Sequence, residues 1–247
     1  MINSADPAAP EAAVEFFSER QVKNDGRDGP GGYFERSMGR PRSYDRNEVI
    51  ARATALFWKK GYAGAHLQEL VEVTGLNRFS LYKEFGGKDG LFQTAIESYL
   101  NEADDYYRQT LGRKPYGLAN ITAYFRSIRF PAQYDGCFFV NSLAERHVLE
   151  SATYKLVQKF AAYVEDLYFK NAQAAQKSGE LPTRYDARTL ARYFTVNDFG
   201  LAVFGINGPP RNRGLPELLD LILSAIGATG ETAASGSDAP QSWRTLV

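Results

Sequence analysis

The stretch LQELVEVTGLNRFSLYKEFGGK, residues 67–88, decides how the rest of the chain is read. Leu67, Leu70 and Val71 recur at helical spacing and predict a short helix over 67–74. Gly75-Leu76 breaks it. Asn77 can accept from the next free backbone amides, so a second short helix is expected over 78–84. Gly86-Gly87 ends that one. Two short helices about a glycine-containing turn, with Leu76 as the apolar anchor, form a helix-turn-helix arrangement. A short-helix pair also occurs as plain packing, so the side chains on the second helix carry the decision.

Those side chains divide by face. Leu81 and Phe85 are apolar and suit a core. Arg78 presents a two-donor fork that fits a guanine edge. Phe79 can touch a thymine methyl. Ser80 and Lys83 reach phosphate or base edges, and the Tyr82 hydroxyl suits a phosphate. Lys88 starts the next helix, where its charge and the free amides together favour a phosphate. Asn77, the predicted cap, sits at the same end as Arg78.

Outward from this stretch the helical period continues, and no run of alternating strands appears. Asp45 with Glu48 resembles a capping box. Val49, Ile50, Ala53, Leu56 and Phe57 follow on one face, and Gly61 is expected to stop that helix. Downstream of 88 a longer helix carries Leu91, Phe92, Ala95, Ile96, Tyr99 and Leu100 and fades before Gly112. Further helices are expected at about 117–130, 136–149, 151–177, 186–206 and 215–227. The expected fold class is all-α. A helix-turn-helix three-helix domain over 39–90 precedes a larger helical effector-binding and dimerisation domain over 91–227. Residues 1–38 read as a disordered leader and 228–247 as a disordered tail, because both are rich in Ala, Gly, Pro and polar residues.

Gly61-Tyr62, Leu67 to Leu70, Thr74 to Arg78, Ser80 to Lys88 and Leu91-Phe92 together resemble the TetR/AcrR family of transcriptional regulators. The third helix ends in Tyr-x-x-Phe and leads into a Lys-started fourth helix, and Gly39-Arg40-Pro41-Arg42 is similar to the basic arm of many members. The sequence match covers about residues 39–100. The resemblance implies a ligand-responsive repressor that binds a near-palindromic double-stranded DNA operator as a homodimer and is released by a small-molecule effector. It implies that Gln68 reads a base and that Arg40 and Arg42 enter a minor groove, or are merely solvated. Two residues depart from the family pattern. Phe79 stands where a small residue is common, as a wedge at the DNA or a contact to the first helix. His66 stands where Ser or Thr usually caps, and is expected to face a phosphate.

Composition sets the outer limits. The 29 basic and 29 acidic residues cancel, which excludes only a uniformly basic protein. By segment, residues 1–37 hold four basic and seven acidic residues, and residues 38–90 hold nine and six. The reading head is therefore positive beside a negative leader. The single cysteine, Cys137, excludes an internal disulfide and fits a reducing cytoplasm. No apolar run reaches the ~18 residues of a membrane span. With two histidines, one cysteine and no Gly-rich phosphate motif, an enzyme has few constellations, and no cofactor or metal site is expected. Cys137 and His147 on one helix would lie ~15 Å apart along its axis, too far for a dyad.

The C-terminal half carries two expectations. A monomer reads too few bases for operator specificity, so two copies are expected to pair. Phe199, Gly200, Val203 and Phe204, with Leu218, Leu219 and Ile222, are the candidate interface; the other reading is packing within the chain. The middle helices hold the candidate effector pocket: Tyr124, Ile128, Cys137, Asn141, Tyr163, Asn197 and Asp198. Most aromatics there are ordinary core, and a pocket needs a few polar groups among them. Asp198 can instead pair with Arg192 or Arg126. Cys137 is expected at a helix N-terminus, where the dipole lowers a thiol's pKa and favours an oxidant- or electrophile-sensing role. A buried, inert Cys137 is the alternative, and a helical interaction protein that does not bind DNA is the other functional class.

Overall fold

The computed structural model describes residues 44–131, 133–207 and 214–227. Among the described residues there is no strand. Nine α-helices follow in order along the described residues: α1 Arg46–Gly64, α2 Leu67–Thr74, α3 Arg78–Phe85, α4 Lys88–Gln109, α5 Leu118–Ser127, α6 Phe138–Ala144, α7 Ser151–Lys177, α8 Ala187–Phe204 and α9 Leu215–Ala225. A 3₁₀ turn, Gly205–Asn207, follows α8. The chain divides into two compact units, with the break between Ile96 and Glu97 inside α4. Arg40 and Arg42, the leader over 1–38 and the tail over 228–247 lie outside the described residues.

In the first unit, Asp45 caps α1 by accepting from the Asn47 and Glu48 amides. Gly61 breaks the helical run as the sequence implies, at the non-helical φ 70°, ψ 172°, and a short further turn continues beyond the kink to Gly64. The left-handed φ explains the glycine. The core is the face the periodicity marks: Val49, Ile50, Ala53 and Phe57 from α1, Leu70 from α2, Leu81 and Phe85 from α3, and Leu91, Phe92, Ala95 and Ile96 from α4, all buried. Phe92 takes two rings edge-on, Phe57 at 4.9 Å and Tyr62 at 5.2 Å.

The second unit is built on the long antiparallel partners α7 and α8, with α5 and α6 packed against them and α9 packed against α5. Its core includes Leu118, Ile121, Phe125, Val164, Leu167, Tyr168, Leu190, Phe194, Ile222 and Leu223. Two helices are shorter than the sequence pattern suggests. Ile128 leaves α5 at φ −60°, ψ 124°. Gly136 takes φ 90° before α6, which begins only at Phe138 and closes at Ala144. Asn171 bolts this unit together: its amide nitrogen donates to the Leu111 and Leu167 carbonyls, and its oxygen accepts from the Gly117 amide.

Candidate nucleic-acid interface

The turn between α2 and α3 is held by short-range chemistry. Thr74 ends α2, its hydroxyl donating to the Leu70 carbonyl at 2.5 Å and accepting from the Leu76 amide at 3.3 Å. Gly75 sits in the left-handed region at φ 68° and returns its N–H to the Val71 carbonyl. Leu76 is buried, and Asn77 Oδ1 accepts from the Ser80 amide at 2.8 Å. At the start of α2, Glu69 Oε2 accepts from the His66 amide. Glu69 also pairs with Lys60 of α1, and that ammonium, with the His66 amide, holds its carboxyl below the ordinary range.

This frame leaves one face of α3 open. Leu81 and Phe85 are buried, whereas Arg78, Phe79, Tyr82 and Lys83 are exposed and Ser80 is half-buried. Phe79 is 76% exposed, so it makes no core contact with α1. Tyr82 is 50% exposed, so it is not a core tyrosine. His66, Gln68 and Asn77 are exposed beside them. Gln68 Nε2 donates to Glu72 on its own helix at 3.2 Å.

The start of α4 depends on two glycines. A Cβ on Gly90 would fall 1.7 Å from the Phe85 carbonyl oxygen, so only glycine lets the end of α3 abut the first turn of α4. A Cβ on Gly87, at φ 112°, would meet the Tyr82 ring at 3.0 Å. One residue here had no role assigned from sequence. Tyr62, just after the Gly61 kink, hydrogen-bonds Asp89 with its hydroxyl and lies under Lys88, whose ammonium is 4.4 Å from the ring centroid. That seat fixes the lysine by cation–π attraction. Tyr62 stood within the motif quoted above, but nothing in the spacing shows that the kink brings its ring to α4.

The profile of the bacterial regulatory proteins of the tetR family matches residues 49–95, from α1 to the first turns of α4. A solved, cysteine-substituted form of the TetR-family transcriptional regulator CifR, complexed with a 26-bp double-strand operator DNA, is 30% identical, and the match covers 75% of this chain and 99% of that one at a TM-score of 0.60. The chain belongs to the TetR family. Its relatives include the transcriptional repressor ComR of Escherichia coli, 27% identical over 70% of this chain and 85% of ComR. YezE of Bacillus subtilis is 28% identical over 76% of this chain and 100% of YezE. This TetR-family protein is thus a transcriptional regulator with an all-α fold and a helix-turn-helix in its first unit.

In the second unit of the regulator the effector candidates are only partly brought together. Asp198 is buried on α8, and its carboxylate accepts from three tyrosine hydroxyls: Tyr124 at 2.8 Å, Tyr168 at 3.1 Å and Tyr107 at 3.3 Å. The alternative arginine pairing is not formed. Arg192 faces Glu165 and Arg126 faces Asp220, and the tyrosines take their place. Burial raises Asp198 to about 6, opposed by those three hydrogen bonds. Cys137 does stand at the N-cap of α6, but its thiol is raised, not lowered. Burial outweighs the hydrogen bonds that pull the other way, from the Tyr99 hydroxyl 3.2 Å from the sulfur and from the Val140 and Phe139 amides. The thiolate argument for sensing therefore loses its physical cause.

The other candidates have local work. Asn141 donates to the Asp135 carbonyl and Asn197 to the Tyr193 carbonyl. Ile128 is the C-cap of α5, and Tyr163, half-buried, interacts with Asp104 and Arg108. Of the interface candidates, Val203 and Phe204 are more than half exposed, Gly200 is open to space, and Leu218 is exposed. Phe199 is half-buried against Phe139. Ile222 is corrected to core: it is buried within its own unit. The side chain of Leu219 lies outside the described residues. Val196 at 65%, Leu221 at 64% and Ile206 at 45% extend the exposed apolar surface.

No helix among the described residues is long and apolar enough to cross a membrane, and no group of three or more metal-ligating side chains is found among them.

Proposed function

We propose that this regulator is a dimeric cytoplasmic repressor whose α3 enters the major groove of a near-palindromic operator, and which a small-molecule effector releases. The observation that carries the reading is the split of α3 into a buried Leu81/Phe85 face and an exposed Arg78, Phe79, Tyr82, Lys83 face. Arg78 reads a base edge, Ser80, Tyr82 and Lys83 contact phosphate or base edges, and Phe79 packs on a thymine methyl. Lys88, seated on Tyr62, contacts the backbone beside the first turn of α4. Asn77 orients α3, while Gln68 and His66 approach from α2, and Arg40 and Arg42 supply a minor-groove arm. The CifR complex with operator DNA supports the double-stranded DNA partner.

Dimerisation is supported by the exposed row Val196, Gly200, Val203 and Phe204 on α8 and by Leu218 and Leu221 on α9. Apolar side chains gathered on two neighbouring elements mark an interaction surface. A second copy covers them as a four-helix arrangement. In such a dimer two copies of α3 must stand ~34–36 Å apart to enter successive major grooves. The effector acts by shifting the population toward another spacing. The division into a reading domain over 39–90 and an effector and dimerisation domain over 91–227 is part of this proposal. No enzymatic step is assigned to any residue.

The test is a hydroxyl-radical footprint on the DNA upstream of the protein's own gene. Two protected patches about 10 bp apart, lost in the Arg78→Ala variant, are expected. Uniform, sequence-independent protection that the variant retains would count against operator reading.

A further inference from the structure

The second unit contains a partly open cavity of about 200 Å³ that none of the seven effector candidates lines. Its described walls are Phe125, Arg126 and Arg129 from the end of α5 and just beyond it, with Leu215 and Asp220 from α9. Phe125 and Leu215 are buried and supply an apolar floor. Among the described walls the polar groups are two guanidiniums and one carboxylate. Arg126 Nη2 stands 3.8 Å from Asp220 Oδ1, an ion pair too long for a hydrogen bond. Asp220 is 58% exposed at its side chain, so it can swing into water at little cost. Arg129 is pinned: its Nη1 donates to the Arg126 carbonyl at 2.9 Å and the Ile128 carbonyl at 2.6 Å. A guanidinium has five donors, and these bonds use one of its nitrogens.

Size and chemistry together narrow the ligand. A dry cavity of about 150 Å³ is enough for benzene, while drug-sized ligands need about 300–1,000 Å³. This cavity therefore fits one ring with a short polar head. The guanidiniums select the head, because a carboxylate matches the fork geometry of arginine in a way that an alcohol or an ammonium does not. We propose that the cavity between α5 and α9 binds a single-ring aromatic monocarboxylate, its ring on Phe125 and Leu215 and its carboxylate on Arg126 and Arg129. The ligand displaces Asp220 from Arg126. Phe125 continues inward to the rings of Tyr168 and Phe194, at 6.1 and 6.3 Å, so occupancy is felt by the α7/α8 core. The inference deepens the effector reading above and rests on it only for the consequence at DNA, not for binding itself.

The experiment titrates the full chain, without DNA, with benzoate, benzyl alcohol and benzylamine, read by calorimetry and saturation-transfer NMR. Benzoate is expected to bind once per chain and at least about tenfold more tightly than either isostere. Arg126→Gln and Arg129→Gln should each weaken it by about tenfold, and Asp220→Asn should tighten it by removing the internal competitor. Leu215→Phe should block the ring; Arg129→Gln, at an exposed residue, keeps the test alive if that variant does not fold. Absence of binding up to about 10 mM, equal affinity for the acid and the alcohol, or indifference to both arginine variants overturns the site. Operator affinity is then measured with and without benzoate. Benzoate bound at this cavity with DNA affinity unchanged would leave the site standing and count against the release reading alone.

Discussion

Asp198 shows how far a single residue's environment can depart from what its sequence neighbours suggest. Flanked by Asn197 and Phe199, and with Arg126 and Arg192 available, it looks like half of an ion pair. The structure instead gives it tyrosines from three other helices, Tyr107, Tyr124 and Tyr168. Burial raises it from 3.8 to about 6, so the folded chain holds this proton more tightly than the unfolded chain. Below about pH 4 both states are protonated and the site costs nothing. Between about 4 and 6 only the unfolded chain ionises, so stability falls as pH rises; above about 6 the loss is constant, on the order of 3 kcal/mol. Asp198→Asn removes that dependence. In urea unfolding, the variant is expected to gain on the wild type by up to about 3 kcal/mol between pH 4 and 7. Parallel curves across that range would show that the carboxylate is not held as described. Tyr124→Phe takes away the 2.8 Å donor and should cost about 1–3 kcal/mol at pH 7.

At the scale of elements, much of the reading head was legible and the reason is local. The bounds of α2 follow from Leu67, Leu70 and Val71 and from Gly75, and the Asn77 cap is formed as the sequence implies. Caps and left-handed glycines act within a few residues, so spacing reveals them. The Tyr62 seat for Lys88 and the abutment of Phe85 on Gly90 join residues from different helices, and spacing is silent about those. The same holds for the Asp198 cage, for the cavity beside Arg126 and for the burial of Ile222 beside exposed Leu218 and Leu221. Gly90→Ala tests the abutment. Its Cβ meets backbone, which cannot rotate away, so α3 and α4 must separate. A loss of at least about 2 kcal/mol of stability is expected by denaturant unfolding, against less than about 0.5 for Phe79→Ala on the open face. Leu81→Ala, at a fully buried position, should cost about 2–5 kcal/mol. Equal, small effects at all three sites would mean that the two faces of α3 are not distinguished.

For the whole molecule, the zero net charge conceals a useful division. Residues 1–37 carry three more acidic than basic residues, and residues 38–90 three more basic than acidic. If affinity for DNA rests on that small positive patch, the leader is predicted to compete with phosphate for it over distances of about a Debye length. Deleting residues 1–37 should tighten DNA binding at low salt and change little at high salt; unchanged affinity at low salt would make the leader electrostatically passive. The apolar row on α8 and α9 predicts a second whole-molecule property. Val203→Lys places a charge in the proposed interface and should shift sedimentation equilibrium toward the monomer while the fold persists; an unshifted dimer would place the interface elsewhere. The central claim remains that the exposed face of α3 reads DNA. The most direct measurement is an anisotropy titration of the DNA upstream of the protein's own gene, run against non-specific DNA at several salt concentrations, for the wild type, Arg78→Ala and Lys83→Ala. Loss of a base contact at Arg78 should cost about 1–3 kcal/mol on the specific site and much less on non-specific DNA, while Lys83→Ala should weaken both and lower the salt slope by about one. Wild-type and variant curves that coincide on both DNAs would contradict the account.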